Sequence, residues 1–232
     1  MGVGLIMAIQ VQGFSGTIPE VDTSFKALRA SGRPLDHGSL GHYRLGMTSG
    51  TIAAALAANG ELFQFRWTDA TRLCVVQKVL ISAGANVAAT AAGLVNLDLV
   101  TARSWSAAGT GGTTATITGN NQKTRTTGMG TTLLGEARCA STAALGAGTK
   151  TLDSQAIGNV FVGVGTGAIT TSHRLQLVDK IDLMEIDADM SIHPVVLAQN
   201  EGLVIKNGAT VWPAAMTWGF SVTVVWAEVA AY

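Results

Sequence analysis

The chain has 232 residues, carries a formal net charge of zero and contains only 13% charged residues. This length allows a sizeable core, and the neutral balance argues against nucleic acid or an anionic membrane surface as a partner. Because the charged share is about half of the usual value, we expect an unusually uncharged surface that neighbouring subunits partly cover. No apolar run reaches the ~18–20 residues of a transmembrane helix, and no signal peptide is expected because the N-terminus lacks a basic region.

The first 46 residues are predicted to form an extended N-terminal arm outside the core. Gly, Pro and Ser recur through this stretch, which is typical of loops. One short helix is predicted within it, from Val21 to Ala30, because apolar residues lie three apart and basic residues occupy the last turn. The basic residues of the arm, which we expect to contact protein rather than nucleic acid, are Lys26, Arg29, Arg33 and Arg44.

Residues 47–232 are predicted to form one β domain. The alanines of Met47–Ala58 favour a helix, but the following Asn59-Gly60 turn favours a strand that enters a hairpin, and we expect the strand. Alternation of apolar and polar residues predicts the next strand at Glu61–Trp67. Further strands are predicted at Leu73–Ser82, Val95–Arg103, Thr114–Thr118, Thr131–Ala140, Gly148–Leu152, Asn159–Val164 and His193–Lys206, the last one split by a turn or bulge at Asn200–Gly202.

The stretch from His173 to Asp189 interrupts this pattern. Its apolar residues partly follow helical spacing, so a short helix competes with an irregular crossing loop. Four of its acids could offer oxygen ligands to Ca²⁺, but no Gly lies between them as in a calcium loop, and we expect a solvated or subunit-facing acidic loop. These four acids are Asp182, Glu185, Asp187 and Asp189.

The last strand, within Met216–Glu228, is the most strongly patterned part of the chain. One face carries large residues and the other carries small, mostly polar ones, because successive side chains of a strand point to opposite faces. We expect the large face to close a core against Glu61–Trp67, whereas the small face is either packed or presented to another subunit. About eight strands joined by Gly-rich loops predict an all-β, jelly-roll-like β-sandwich. The large face consists of Trp218, Phe220, Val222, Val224 and Trp226.

No motif in the chain indicates catalysis, a cofactor or a metal. Gly163–Ala168 matches the loose dinucleotide fingerprint, but the residues after it do not open a helix. The four histidines have no zinc-ligand spacing, and no Gly-x-Ser-x-Gly sequence marks a nucleophile. The two cysteines, Cys74 and Cys139, are expected to be buried free thiols, with a disulfide between them as the alternative.

Several segments spread over nearly the whole chain carry a resemblance. In order, they are Ala8–Gly13, Leu28–Arg29 with Arg33–Pro34, Gly38–Gly41, Phe65–Trp67, Thr118–Asn121, Val196–Gly202 and Trp226–Tyr232. Together they resemble a group of tailed-bacteriophage virion structural proteins. The resemblance implies a non-enzymatic protein with no catalytic, cofactor-binding or metal-binding residues.

The expected function is therefore that of a capsid cement or decoration protein. Such a protein is made in the cytoplasm of the host bacterium and lies on the capsid surface of the virion. Its expected partners are the major capsid protein and copies of itself, with a trimer as the assumed oligomer. The alternative is a tail or head fibre component, in which Trp105 stacks on a host glycan. The major capsid protein itself, and a polysaccharide-cleaving enzyme that uses one of the four acids, rank lower.

Overall fold

The computed structural model describes residues 21–22, 27–28, 41–124, 128–166, 175–184 and 193–231. The chain divides into two units, Met1–Asp36 and His37–Tyr232. In the first unit, strands β1 (Val21–Asp22) and β2 (Ala27–Leu28) pair with each other in antiparallel register. The helix predicted from Val21 to Ala30 is therefore wrong at these four residues, whose backbone groups pair between strands.

The second unit consists of strands that form two antiparallel sheets. None of the described residues belongs to a helix of the length and hydrophobicity that crossing a membrane requires. Its strands are β3 (Gly41–Thr48), β4 (Glu61–Trp67), β5 (Leu73–Ala85), β6 (Gly93–Ala107), β7 (Thr113–Thr114), β8 (Leu134–Cys139), β9 (Thr149–Leu152), β10 (Gly158–Val164), β11 (Leu175–Asp182), β12 (Val195–Leu197), β13 (Glu201–Asn207) and β14 (Trp218–Val229).

The order of the strands is that of a jelly roll. One sheet has five strands in the order β11-β5-β14-β3, with β12 also paired to β5, and the other has seven in the order β10-β6-β13-β4-β8-β7, with β9 also paired to β6. From β3 to β6 the chain alternates between the sheets, and β6 to β10 then stay in the seven-stranded sheet. The pairs are nested: β3 with β14, β4 with β13, β5 with β11 and β6 with β10. This is one long antiparallel hairpin wrapped into two layers, so the predicted β-sandwich is confirmed.

The core lies between the two sheets. The five large residues predicted for one face of β14 are all buried, and every second residue from Gly219 to Val225 is half-exposed. The ring of Phe65 on β4 meets that of Trp226 edge-on at 5.1 Å, which joins the sheets directly. Trp212 stacks on Trp218 at 3.8 Å between ring centroids. The predicted closure of the core by the last strand is thereby confirmed.

Two predictions before the core region are wrong. The boundary between arm and β domain does not lie at residue 46, because Gly41–Thr48 is a strand that pairs along β14. After Thr48, the stretch expected as a strand up to Ala58 forms only an isolated bridge at Ile52. The Asn59-Gly60 turn is present, with φ of 59° at Asn59, but it leads from one sheet to the other and closes no hairpin.

The region from His173 onward also differs from expectation. Leu175–Asp182 is strand β11, and its pairing with β5 shifts register twice, between Gln176 and Val178 and between Val178 and Ile181. Register shifts of this kind interrupt the two-residue repeat of a strand, and the sequence of this segment likewise lacks the strict alternation that identified the other strands. The split of His193–Lys206 is confirmed: Asn200, with φ of 62°, separates β12 in one sheet from β13 in the other.

Candidate functional site

The residues considered for metal binding do not come together in the described part of the chain. There, no group of three or more His, Cys, Asp or Glu side chains could hold a metal ion. The carboxylate of Asp182 has a structural role, because its Oδ1 accepts hydrogen bonds from the backbone N–H groups of Val79 (3.2 Å) and Met184 (3.0 Å). The other three acids, Glu185, Asp187 and Asp189, lie outside the described residues.

Both thiols are buried and free, as predicted for Cys74 and Cys139. Burial raises the pKa of Cys139 to about 12. Burial and, to a lesser extent, the nearby carboxyl of Glu228 raise the pKa of Cys74 well above its ordinary value. A thiol must be deprotonated to act as a nucleophile or metal ligand, so both cysteines are inert core residues.

Trp105 cannot stack on a sugar, because its side chain is fully buried. The backbone turns at Ser104, which has φ of 51°, and the indole lies with Ala102 and Val204 on the outer side of the seven-stranded sheet. A Cβ on Gly202 would come within 2.7 Å of the ring, so the glycine there makes room for it. The expectation of a glycan contact through Trp105 was wrong. The sequence does not show that other parts of the chain cover this side chain.

Buried charges surround this tryptophan. Lys150 Nζ lies 4.5 Å from the Trp105 ring centroid and 2.8 Å from Glu61 Oε2, and the two charged side chains are only 2% and 7% exposed. Gln64 Nε2 donates to the same Glu61 oxygen at 2.6 Å, and Lys150 also donates to the carbonyl of Ala147. The carboxylate is thus matched by one ammonium and one amide, an arrangement that stabilises structure and leaves no free acid or base.

Glu228 is a second buried carboxyl, 2% exposed, but it has no cation beside it in the described residues. Its Oε1 accepts from the Thr132 hydroxyl (2.5 Å), the Leu133 N–H (3.0 Å) and the Trp226 Nε1–H (3.4 Å). Burial raises the pKa of the Glu228 carboxyl, although these three donors oppose the shift. Burial and this carboxyl raise the pKa of Tyr43 to about 12, so the phenol remains a neutral donor.

The outer side of the five-stranded sheet carries small side chains over much of its area. Between Gly219 and Val225 the outward residues of β14 are half-exposed, and those of β3 beyond Arg44 are exposed. We call this surface the bare face. Its members share small size and lack of charge, and they are Gly46 and Thr48 on β3, Gly219, Ser221 and Thr223 on β14, and Ser82 and Gly84 on β5. Leu80, which pairs with Thr223, and the charged residues Lys78 and Arg44, which pair with Val225, border this face at one end. Ser82 and Ser221 are joined by a hydrogen bond of 2.7 Å between their hydroxyls.

His42 makes structural contacts between strand β3 and neighbouring segments. His42 Nε2 lies 2.5 Å from Gln77 Oε1, and its Nδ1 lies 3.2 Å from Thr124 Oγ1, so the ring bridges β3 to its neighbours. His37 and His173, together with Lys26, Arg29 and Arg33, lie outside the described residues.

Comparison with models of protein families gave no match, and comparisons with curated proteins and with solved structures gave none either.

Proposed function

We propose that the chain is a non-enzymatic structural protein of a tailed-bacteriophage virion. Its role is that of a cement or decoration protein, which binds the major capsid protein on the capsid surface and stabilises the lattice. The observation that carries the proposal is the bare face. It offers an uncharged surface of glycine and hydroxyl side chains, which ends at Leu80 and at the charged residues Lys78 and Arg44.

The physical argument concerns what such a surface can bind. A charged or aromatic side chain would project from the sheet and require a partner with a matching pocket. Gly46, Ser221 and Thr223 have short side chains and leave a flat surface. A flat surface allows close approach of another protein surface. The exposed hydroxyl groups can form hydrogen bonds with it without the desolvation cost of charges. In a symmetric shell, many modest contacts of this kind are repeated and add up to stability.

The resemblance of segments along the chain to tailed-phage virion proteins supports the same role. So does the small charged share of 13%, which fits a protein that is surrounded by neighbours. The buried polar groups point away from catalysis, because the Glu61–Lys150 pair is closed to solvent and Asp182 binds backbone amides.

The first test is the copy number of this protein in virions of the phage that encodes it. Quantitative mass spectrometry of purified particles should give a number comparable to that of the major capsid protein, and cryo-electron microscopy should place the protein on the outside of the head. Only a few copies per particle, or density on the tail alone, would overturn the proposal. Tail density would instead favour the fibre alternative.

The second test asks whether the bare face makes the contact. Capsids that lack the protein are incubated with purified wild-type protein, with Thr223→Arg, and with Gln155→Arg as a control at an exposed loop position. We expect Thr223→Arg to lose binding and Gln155→Arg to bind as wild type. If Thr223→Arg folds and still binds capsids with unchanged affinity, the bare face is not the capsid contact.

A further inference from the structure

Three buried polar side chains meet on the outer side of the seven-stranded sheet. Glu61 and Gln64 belong to β4, and Lys150 belongs to β9. Gln64 is 1% exposed, and the side chains of Lys150 and Glu61 are 2% and 7% exposed. Because the cluster is sealed from water, it has no outside substrate, and its chemistry is confined to its own members.

One carboxylate oxygen joins the two side-chain nitrogens of this cluster. Glu61 Oε2 accepts from Lys150 Nζ at 2.8 Å and from Gln64 Nε2 at 2.6 Å. Gln64 Nε2 also donates to the carbonyl of Gly146 at 3.1 Å. Both partners of this nitrogen are acceptors, which fixes the orientation of the amide group. A primary amine and a primary amide are thus held on the same proton-accepting oxygen.

The amide oxygen of Gln64 is left unsatisfied in this arrangement. Its Oε1 is buried and has no hydrogen-bond partner among the described residues. A side chain at Gly109 would collide with this oxygen, so the backbone at residue 109 closes the cluster on that side. A buried polar network that only stabilises a fold usually satisfies all of its members, and this one does not.

Lys150 is placed as a nucleophile rather than as a solvated charge. Its Nζ lies 4.5 Å from the centroid of the Trp105 ring and donates hydrogen bonds to Glu61 Oε2 and to the carbonyl of Ala147. A lysine amine in a desolvated pocket acts as a nucleophile once a neighbouring base has taken its proton. Glu61 is that base, because its oxygen already accepts a hydrogen bond from Nζ.

We propose that Lys150 and Gln64 form an intramolecular isopeptide bond, with Glu61 as the carrier of protons. The ion pair of the structure is the state that precedes the bond. The reaction transfers the acyl group of the glutamine amide from one nitrogen to another, so it needs no oxidant, cofactor or second protein. Holding the reacting groups together in a fixed site replaces the enzyme that such a transfer otherwise requires.

The step balances through Glu61. Its carboxylate takes one proton from the ammonium group of Lys150, which gives Nζ a free electron pair. Nζ attacks Cδ of Gln64, and a bond between Nζ and Cδ forms. Glu61 then gives its proton to Nε2, the bond between Cδ and Nε2 breaks, and ammonia leaves with the electron pair of that bond. Finally Glu61 takes the remaining extra proton from Nζ, so the products are an amide, ammonia and a neutral carboxylic acid.

The product lacks two unfavourable features of the starting cluster. It contains no buried charge, so the desolvation of an ion pair no longer opposes folding. The protonated Glu61 has a hydroxyl group to donate, and the amide oxygen that lacked a partner can accept it. The bond also closes a covalent loop from residue 64 to residue 150, which restricts the unfolded chain.

Intact-mass spectrometry of the purified full chain tests the bond. Wild type should be lighter than its sequence by the mass of one ammonia molecule. Lys150→Met and Gln64→Met, which remove the two reacting groups, should keep the full mass. Glu61→Gln removes the proton carrier and should slow the loss of ammonia by about a hundredfold or more. The control is Lys206→Met, at an exposed site, which should lose ammonia as wild type does.

Tryptic peptide mapping locates the bond in the wild-type protein. Trypsin cleaves after lysine and arginine but not after a lysine whose side chain is in an isopeptide bond. Residues 45–66 and 139–174 should therefore appear as one branched peptide, uncleaved at Lys150. This measurement needs no variant, so it decides the matter even where a substitution prevents folding.

Three results would overturn the proposal. Full mass in wild type after prolonged incubation would show that no bond forms. Loss of one water instead of one ammonia would make Glu61 the group that the amine attacks. Loss of ammonia that persists in Lys150→Met would point to an Asn-Gly sequence such as Asn59-Gly60, where closure of a succinimide ring also releases ammonia. Because the bond lies within one chain, each of these results would leave the proposed capsid role untouched.

Discussion

The outer faces of the two sheets differ in what covers them. On the seven-stranded sheet, the chain folds back so that Trp105 and Lys150 lie over Glu61, and all three are buried. On the five-stranded sheet, every second residue from Gly219 to Val225 stays half-exposed. The seven-stranded sheet therefore has a covering layer over Glu61, although Phe161 and Leu94 on β10 and β6 are 61% and 45% exposed. Among the described residues, no such layer lies over the outward side chains from Gly219 to Val225.

The polar side chains of the two faces differ in whether a protein group or water satisfies them. Glu61 and Lys150 are sealed from water and depend on each other, because a buried charge without a partner is costly. Ser82 and Ser221 share a hydrogen bond of 2.7 Å at a half-exposed position, where water can replace a missing partner. Substitutions on the two faces should therefore differ in how much they lower the free energy of unfolding. Substitutions in the core between the sheets should lower it most.

The largest loss of stability is expected from Phe220→Ala, on the core side of β14. The ring is 3% exposed, and emptying such a site costs ~3–5 kcal/mol. Denaturant titration measures the change, with Phe220→Leu as the milder companion. A loss below ~1 kcal/mol would contradict the placement of this face in the core.

A loss of ~3 kcal/mol is expected from Lys150→Met, because it leaves Glu61 buried without its cation. Lys206→Met is the matched control, since Lys206 Nζ bonds to Asn59 Oδ1 at an exposed site and its loss should cost no more than ~0.5 kcal/mol. Adding Glu61→Gln to Lys150→Met should recover part of the stability. Equal effects of the two lysine substitutions would mean that the covered face is open to water.

Glu228→Gln tests a buried carboxyl that has no cation beside it among the described residues, in contrast to Glu61, which has Lys150. The pKa of Glu228 is raised in the folded chain by burial, so its contribution to stability is fully present below its ordinary pKa of 4.5 and is lost as pH rises through the folded-state value. The amide can still accept from Thr132, Leu133 and Trp226. We expect Glu228→Gln to gain stability relative to wild type as pH rises above that ordinary value, measured by thermal unfolding across pH. An unchanged pH dependence would contradict the raised pKa.

The smallest effect is expected on the bare face. Ser221→Ala removes one half-exposed hydrogen bond and should cost ~1 kcal/mol or less. Chemical unfolding of the purified protein gives the value. A loss as large as that of Lys150→Met would show that this face is already covered in the free protein, and the contrast between the two sheets would not hold.

Alternation of large and small residues located most of the strands correctly. Glu61–Trp67 and the strand that ends the chain have uninterrupted alternation, and both were predicted close to their observed bounds. Gly41–Thr48 carries the same signal in Tyr43, Leu45 and Met47, but the glycines around it suggested an arm. Leu175–Asp182 was missed because its sequence lacks strict alternation, and its pairing with β5 shifts register twice.

The candidate site was less accessible from the sequence. The small face of the last strand was recognised as open to either packing or a partner, but whether anything covers a face depends on distant segments. Trp105 illustrates the same limit: nothing in its neighbours along the chain indicates that Lys150 lies above its ring.

The sequence by itself determined the all-β class, the buried free thiols and the core face of the last strand, because period-two alternation and residue size act locally. Only the tertiary structure decided which strands pair and which part of a sheet face is covered. Those outcomes depend on contacts between residues far apart in the chain, such as Glu61 with Lys150 at 2.8 Å and Phe65 with Trp226 at 5.1 Å. Contacts between residues so distant in sequence cannot be predicted from a local sequence pattern.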